Sequence, residues 1–206
     1  MESHRTKSAD GKSGKVDILD LALNDSEYGT QATTSEIIDQ MKTFWLAGNE
    51  TTASVLCWVY VYLHQNPFAL AALRDELDNV FGTENVARQI TENPKLLNQL
   101  DYTLAVIRET LRLEPPAQMI RKAVEPYQVT TRSGTSYIIE KDAAILINSY
   151  QMARTKSIWG EDAAEFKPER FLNGNIPLAF MPFSKRPRDC IGTNLAYLEV
   201  LAALLC

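Results

Sequence analysis

A chain of 206 residues with 45% hydrophobic and 23% charged side chains has the balance of an ordinary globular protein and enough length to bury a sizeable core. A formal net charge of −5 argues against nucleic acid as the main partner, while leaving room for a local basic patch such as Lys185, Arg186 and Arg188. The three cysteines, Cys57, Cys190 and Cys206, are odd in number and widely spaced, so they make no disulfide framework, suit a reducing compartment and lack Cys-x-x-Cys metal spacing.

The opening MESHRTKSADGKSGK is polar throughout, unlike a signal peptide, and residues 1–16 read as a polar tail or loop. Thr33 and Glu36 then have capping-box spacing at a helix start. Ile38, Met41, Trp45, Gly48, Thr52, Val55, Val59 and Tyr62 follow at alternating intervals of three and four, one stripe along a helix. That helix runs to about His64, roughly 45 Å at about 1.5 Å per residue, and is expected to cross the middle of a domain. The stretch ASVLCWVYVYL within it is shorter than the run of about 18 apolar residues a membrane span needs, and reads as buried helix. As written, the chain is expected to be soluble.

Asn66-Pro67 starts a second helix and Gly82 closes it. A third runs from about Asp101 to Leu113 and stops before Glu114-Pro115-Pro116. YQVTT, SYII and AAILIN then read as short strands, with Arg132-Ser133-Gly134-Thr135 as a hairpin turn. From Asn148 to Arg170 the chain is loop-rich, and a last helix begins near Ile191. The closing LEVLAALLC breaks off inside an apolar helical pattern, the expected mark of a truncation. These elements predict one α+β unit dominated by helices, with small β-sheets.

Cys190 stands out, because PFSKRPRDCIG sets a thiol among cations and turn residues just before a helix. A structural thiol is the commonest reading of a cysteine, but a positive, accessible setting and a helix N-terminus favour a thiolate. A nucleophile needs a general base, and neither His4 nor His64 has a sequence signal for that role. A single thiolate ligand to a metal that brings its own remaining ligands needs no partner in the sequence, and haem iron is such a metal.

Phe183, Arg188, Cys190, Gly192, Ala196 and Glu199 resemble the cysteine signature F-x-x-G-x-R-x-C-x-G-x-x-x-A-x-x-E of the haem-thiolate monooxygenases, the cytochrome P-450 superfamily. Three more motifs stand in the family's order. Ala47-Gly48-Asn49-Glu50-Thr51-Thr52 is similar to the oxygen-activation motif of the long I helix, Glu109-Thr110-Leu111-Arg112 to the K-helix E-x-x-R, and Phe166-Lys167-Pro168-Glu169-Arg170-Phe171 to the P-E-R-F segment. The likeness covers residues 17–206 as a partial domain, from the I helix to the start of the L helix, most like microsomal fungal members. The family's N-terminal half and final strands are expected to be absent.

The resemblance implies roles residue by residue. Cys190 is the axial ligand of haem b (heme, iron protoporphyrin IX), and Glu50 and Thr51 deliver protons to the oxygen site. Gly48 leaves room for a ligand against the backbone, while Phe183 and Gly192 belong to the haem-binding signature. Arg121 and Arg188 match positions whose guanidinium groups hold the haem propionates, a bidentate task suited to arginine, with a solvated loop residue as the alternative for Arg121. Glu109, Arg112 and Arg170 form a structural triad that braces the loop leading to the cysteine, since burying charges costs several kcal/mol, roughly, unless they are paired. Ala117, Gln118, Met119 and Ile120 are implied substrate contacts.

The family usually has glycine where this chain has Arg186, in a tight turn before the ligand. That residue is tolerated, or adds to a docking surface for an electron donor, or marks a decaying gene. The implied function is haem-dependent monooxygenation of a lipophilic small molecule, in the style of fungal secondary metabolism, with electrons from NADPH through a reductase. A full-length parent is expected on the cytosolic face of the endoplasmic reticulum membrane. The competing expectation is an incomplete, inactive piece of such an enzyme. A haem-thiolate isomerase or dehydratase is disfavoured by Glu50-Thr51.

Overall fold

The computed structural model describes Ile18 and residues 33–82, 85–185 and 187–205. The polar tail expected at 1–16, Arg186 and Cys206 lie outside the described residues. The chain divides into two compact units, residues 1–49 and 50–206, and the first long helix, α1 (Thr34–Gln65), runs through the boundary.

In the first unit, α1 starts on a reciprocal cap. The Thr33 backbone N–H donates to Glu36 Oε2 at 2.7 Å, and the Glu36 N–H donates to Thr33 Oγ1 at 3.3 Å. The Thr33 backbone N–H, together with its hydroxyl, which donates to the same Oε2 at 2.8 Å, holds the Glu36 carboxyl below its ordinary pKa. The apolar stripe does not behave uniformly along the helix. Trp45 is 72% exposed and Ile38 49%, whereas Thr52, Val55, Val59 and Leu63, further along, are all buried. Within ASVLCWVYVYL, Cys57, Trp58, Tyr60 and Val61 are also exposed, so that stretch is half-buried rather than buried. Periodicity fixes which residues share a face; whether a neighbour covers that face is a tertiary property.

The core of the second unit gathers Val55, Val59 and Leu63 from α1 with Leu73 and Phe81 from α2 (Pro67–Phe81). Val106, Ile107 and Leu111 from α4 (Asp101–Leu113) and Val200 and Leu201 from α7 (Thr193–Leu204) complete it. Each fully buried side chain of this size contributes about 1.5–3 kcal/mol relative to exposure. Pro67 in the first turn and Gly82, at φ 64°, bound α2 as its sequence suggests. Between α2 and α4 lie two elements that carry no strong apolar period, α3 (Val86–Glu92) and a 3-10 helix at Pro94–Gln99. A carboxylate from α2 caps α4: Glu76 accepts the N–H groups of Tyr102 at 2.6 Å and Thr103 at 2.8 Å, and the Thr103 hydroxyl at 2.7 Å. Leu100, at the N-cap, has no side chain able to do this.

After α4 come two antiparallel pairs. β1 (Met119–Lys122) pairs with β4 (Ala144–Ile147), with Met119 opposite Ile147, and β2 (Tyr127–Thr130) pairs with β3 (Ser136–Ile139) around the expected turn. Short helices α5 (Ser149–Ala153) and α6 (Lys156–Trp159) and a 3-10 turn at Pro168–Phe171 follow. A second cluster, Ala105, Trp159, Ala163 and Phe171, packs this region against α4. The last helix begins at Thr193, with its N-cap at Gly192, close to the expected start near Ile191, and the Cys190 carbonyl accepts both the N–H and the hydroxyl of Thr193. The result is the helix-rich α+β architecture with small sheets that the sequence implies.

Candidate functional site

Two parts of the second unit carry the residues singled out by sequence, and the first is a buried charge network. Glu109 and Arg112 lie one turn apart on α4, 0% and 2% exposed. Arg112 Nε donates to Glu109 Oε2 at 2.6 Å and its Nη2 to Oε1 at 2.8 Å, a bidentate pair. Glu109 Oε1 also accepts Arg170 Nε at 3.3 Å and the Lys167 N–H at 2.8 Å. The remaining Arg112 hydrogens go to the carbonyls of Ala153, Ala163 and Glu165, and its guanidinium lies 4.9 Å from the centre of the Trp159 ring. Arg170 reaches the carbonyls of Trp159 and Asp162, and its Nη1 lies 2.9 Å from the Asp162 carboxylate. Hydrogen bonds from Arg170 and Lys167 push the Asp162 pKa down from 3.8 to about 2.

The structure thus brings Glu109, Arg112 and Arg170 together and ties them to four backbone segments of the 150–170 region. Among the described residues no buried side-chain nitrogen or oxygen lacks a partner. Full pairing offsets the several kcal/mol, roughly, that burying these ions costs. The central pair, Glu109 and Arg112, is sealed from solvent, an arrangement suited to holding geometry.

The second part is the loop into α7. The Cys190 N–H donates to the Phe183 carbonyl at 2.9 Å, closing the loop on itself. Ser184, at φ 66°, takes a left-handed turn there that a side chain adopts at a cost of about 1–2 kcal/mol. Phe183 anchors the loop, its ring 5.2 Å from that of Tyr197 and packed against the main core. Arg121, on β1, joins the loop through Nη2, which donates to Ser184 Oγ at 3.2 Å. Lys185 bonds the Leu178 carbonyl, and Arg188 is exposed.

Cys190 is a free, exposed cysteine three residues before the start of the twelve-residue helix α7. A Cβ on Gly192 would lie 3.7 Å from Sγ, an ordinary van der Waals contact, so the two residues are close neighbours. Ile191, the next residue in the chain, is 88% exposed, and Leu195, in the first turn of α7, is exposed too. A single exposed thiol, with Arg121 held at the same loop, is a donor set that suits a porphyrin, which supplies its own four nitrogens. A metal held by protein ligands alone has no candidate: among the described residues no group of three His, Cys, Asp or Glu could hold an ion.

On α1, a Cβ at Gly48 would meet nothing within 4 Å; Glu50 is exposed and Thr51 half-buried. No hydrogen bond or ion pair among the described residues links Glu50 to the Cys190 loop. Ala117, Gln118 and Ile120 are exposed and Met119 is half-buried. Because Met119 and Ile120 are successive strand residues, they point to opposite faces, so residues 117–120 do not share one surface. Gln118 Oε1 is occupied, accepting the Ser149 N–H at 3.0 Å. A cavity lined by Arg112, Pro115, Trp159, Phe180 and Pro182 has room for only about 10 Å³, one water at most. Sequence reasoning missed Glu76, Tyr62, Glu114 and Arg154, whose partners lie dozens of residues away and leave no local pattern. No helix among the described residues is long and apolar enough to cross a membrane.

Known proteins resemble this chain along its length. It is 35% identical over 196 residues to a self-sufficient cytochrome P-450 monooxygenase of Phanerodontia chrysosporium, covering 92% of this chain and 18% of that protein. It is 34% identical over 212 residues to a cytochrome P-450 of Panax ginseng, covering 98% of this chain and 38% of that one. A bifunctional cytochrome P-450/NADPH–P-450 reductase of Gibberella moniliformis is 32% identical over 188 residues, 89% of this chain and 16% of that protein. The chain therefore spans well under half the length of these curated relatives. The family model described as cytochrome P-450 matches residues 1–206. With a match that runs from end to end, this chain belongs to the cytochrome P-450 family.

Proposed function

We propose that this chain forms the thiolate side of a haem-dependent monooxygenase acting on a lipophilic small molecule, with electrons from an NADPH-dependent reductase. The observation that carries the reading is the free, exposed Cys190 just before α7, next to Gly192 and followed by the exposed, apolar Ile191. Bound haem with a thiolate ligand supplies dioxygen activation and transfer of one oxygen atom to carbon. The residues do the rest. Cys190 Sγ holds the cofactor from one side, and Arg121 and Arg188 meet its carboxylates. Phe183 and the Cys190–Phe183 backbone bond keep the sulfur in place, and the Glu109–Arg112–Arg170 network fixes the loops that lead to it.

Glu50, in solvent contact, takes up a proton at its carboxylate and passes it through the Thr51 hydroxyl. Of Ala117–Ile120, the exposed Ala117, Gln118 and Ile120 contact the molecule to be oxidised. The reductase is supported by the relative whose name joins a cytochrome P-450 to an NADPH-dependent reductase. In this reading residues 17–206 are part of a larger domain, and the full-length parent sits on the cytosolic face of the endoplasmic reticulum membrane. The test is the spectrum of the reduced, carbon monoxide-bound protein after expression with haem. The thiolate-type band is expected, and Cys190→Ser abolishes it; an unchanged spectrum in that variant contradicts the assignment.

A second reading, that these residues alone assemble no working centre, is favoured by large apolar side chains left bare. Phe68 is 93% exposed, Ile191 88%, Val124 82%, Leu178 80% and Trp45 72%. Apolar surface of that kind marks an interaction site or an aggregation hazard. A thiolate band that appears only in a longer version of the protein supports this second reading; the band in the 206-residue chain itself rejects it.

A further inference from the structure

Glu114, which closes α4, receives two donors on one oxygen. Its Oε1 accepts the Tyr62 hydroxyl at 2.8 Å and Arg154 Nη2 at 2.8 Å. Arg154 Nη1 also donates to the Leu113 carbonyl at 2.6 Å, and its guanidinium lies 3.7 Å from the Tyr150 ring centre. Tyr62 is fixed in turn by a parallel stack on Phe166, ring centres 4.7 Å apart and planes within 3°. All three polar side chains are half-buried, so their bonds are shielded from water. Burial and the neighbouring Glu114 carboxylate raise the Tyr62 pKa, which keeps the phenol a donor.

The segment that leaves α4 is held again at its far side, where Gln118 Oε1 accepts the N–H of Ser149, the first residue of α5. Arg154 follows directly on the other end of that helix. One short helix therefore grips residues 114 and 118, and Pro115 and Pro116 stiffen the chain between them.

We propose that Tyr62 and Arg154 are positioning residues: by sharing Glu114 they lock the exit of α4 and hold residues 114–120 in one conformation for ligand contact. This rests on the reading of Ala117–Ile120 as substrate contacts and adds what keeps them in place. The two donors converge on one atom, so removing the acceptor should have the effect of removing both.

Hydrogen exchange by mass spectrometry on the 206-residue chain tests this with Tyr62→Phe, Glu114→Ala, Arg154→Gln and the Tyr62→Phe/Glu114→Ala double variant. Peptides over 114–122 should exchange about tenfold faster in each single variant, while peptides over 101–109 stay at wild-type rates. The double variant should be no faster than Glu114→Ala alone. Acceleration spread evenly over the chain, unchanged rates at 114–122, or fully additive effects would overturn the proposal. Should Glu114→Ala fold poorly, Tyr62→Phe, which removes one hydroxyl, carries the test. A titration of the haem-loaded protein with phenylimidazole adds a second readout: affinity should fall several-fold in Tyr62→Phe with the thiolate band unchanged. A wild-type protein without that band would contradict the haem reading, and the exchange pattern would still decide the clamp.

Discussion

The Glu109–Arg112–Arg170 network and the Cys190 loop belong to one unit of the chain, yet they use polar atoms in opposite ways. In the network no buried side-chain nitrogen or oxygen lacks a partner, and the two central residues are sealed from water. In the loop the sulfur is exposed, the turn at Ser184 is strained, and the neighbouring apolar side chains are bare. A region that spends all its bonding capacity internally is rigid and chemically silent, whereas one that leaves capacity open is available to a ligand. The difference suits the first to stability and, in the proposed reading, the second to binding.

Removing the centre of the network should produce the largest effect. Glu109→Ala leaves the buried Arg112 guanidinium without a carboxylate and Arg170 with Asp162 alone, and unfolding should become easier by about 3–5 kcal/mol. A chemical-denaturation midpoint that barely moves would break the contrast, since it would mean the network is no more important than a surface pair. Acid sharpens the same comparison. The Asp162 pKa is depressed in the folded state from 3.8 to about 2, so its contribution is complete above the unfolded value and is lost as pH falls through that interval. Asp162→Asn should therefore flatten the fall in thermal midpoint between about pH 4 and pH 2, leaving the neutral-pH slope alone.

The smallest effect belongs to the loop. Ser184→Gly relieves a left-handed turn worth about 1–2 kcal/mol and adds unfolded-chain entropy worth about 0.5–1 kcal/mol. A net gain of about 0.5 kcal/mol in the denaturation free energy is expected, and a clear loss would show that the serine hydroxyl's bond to Arg121 outweighs the strain.

What sequence revealed and what it hid follow the range of each interaction. Thr33 with Glu36, Asn66-Pro67 and Pro115-Pro116 act on their own neighbours, so the bounds of α1, α2 and α4 were legible. β1 was not, because Met119–Lys122 lacks a regular alternation and its partner strand lies 25 residues further on. Glu109 with Arg112 is an ordinary spacing on any helix, and Arg170, 61 residues from Glu109, was tied to it only through family resemblance. Glu76 caps α4 from 26 residues away, and Glu114 gathers Tyr62 and Arg154 from 52 and 40 residues away. Such pairings are made by packing and leave no trace in a local window.

The central claim is that the sulfur of Cys190 is a cofactor ligand and carries no part of the fold. Cys190→Ser should keep the wild-type denaturation midpoint within about 0.5 kcal/mol, as an exposed substitution does, while the reduced, carbon monoxide-bound spectrum loses its thiolate band. A variant that unfolds, or one that keeps the band, would contradict the account.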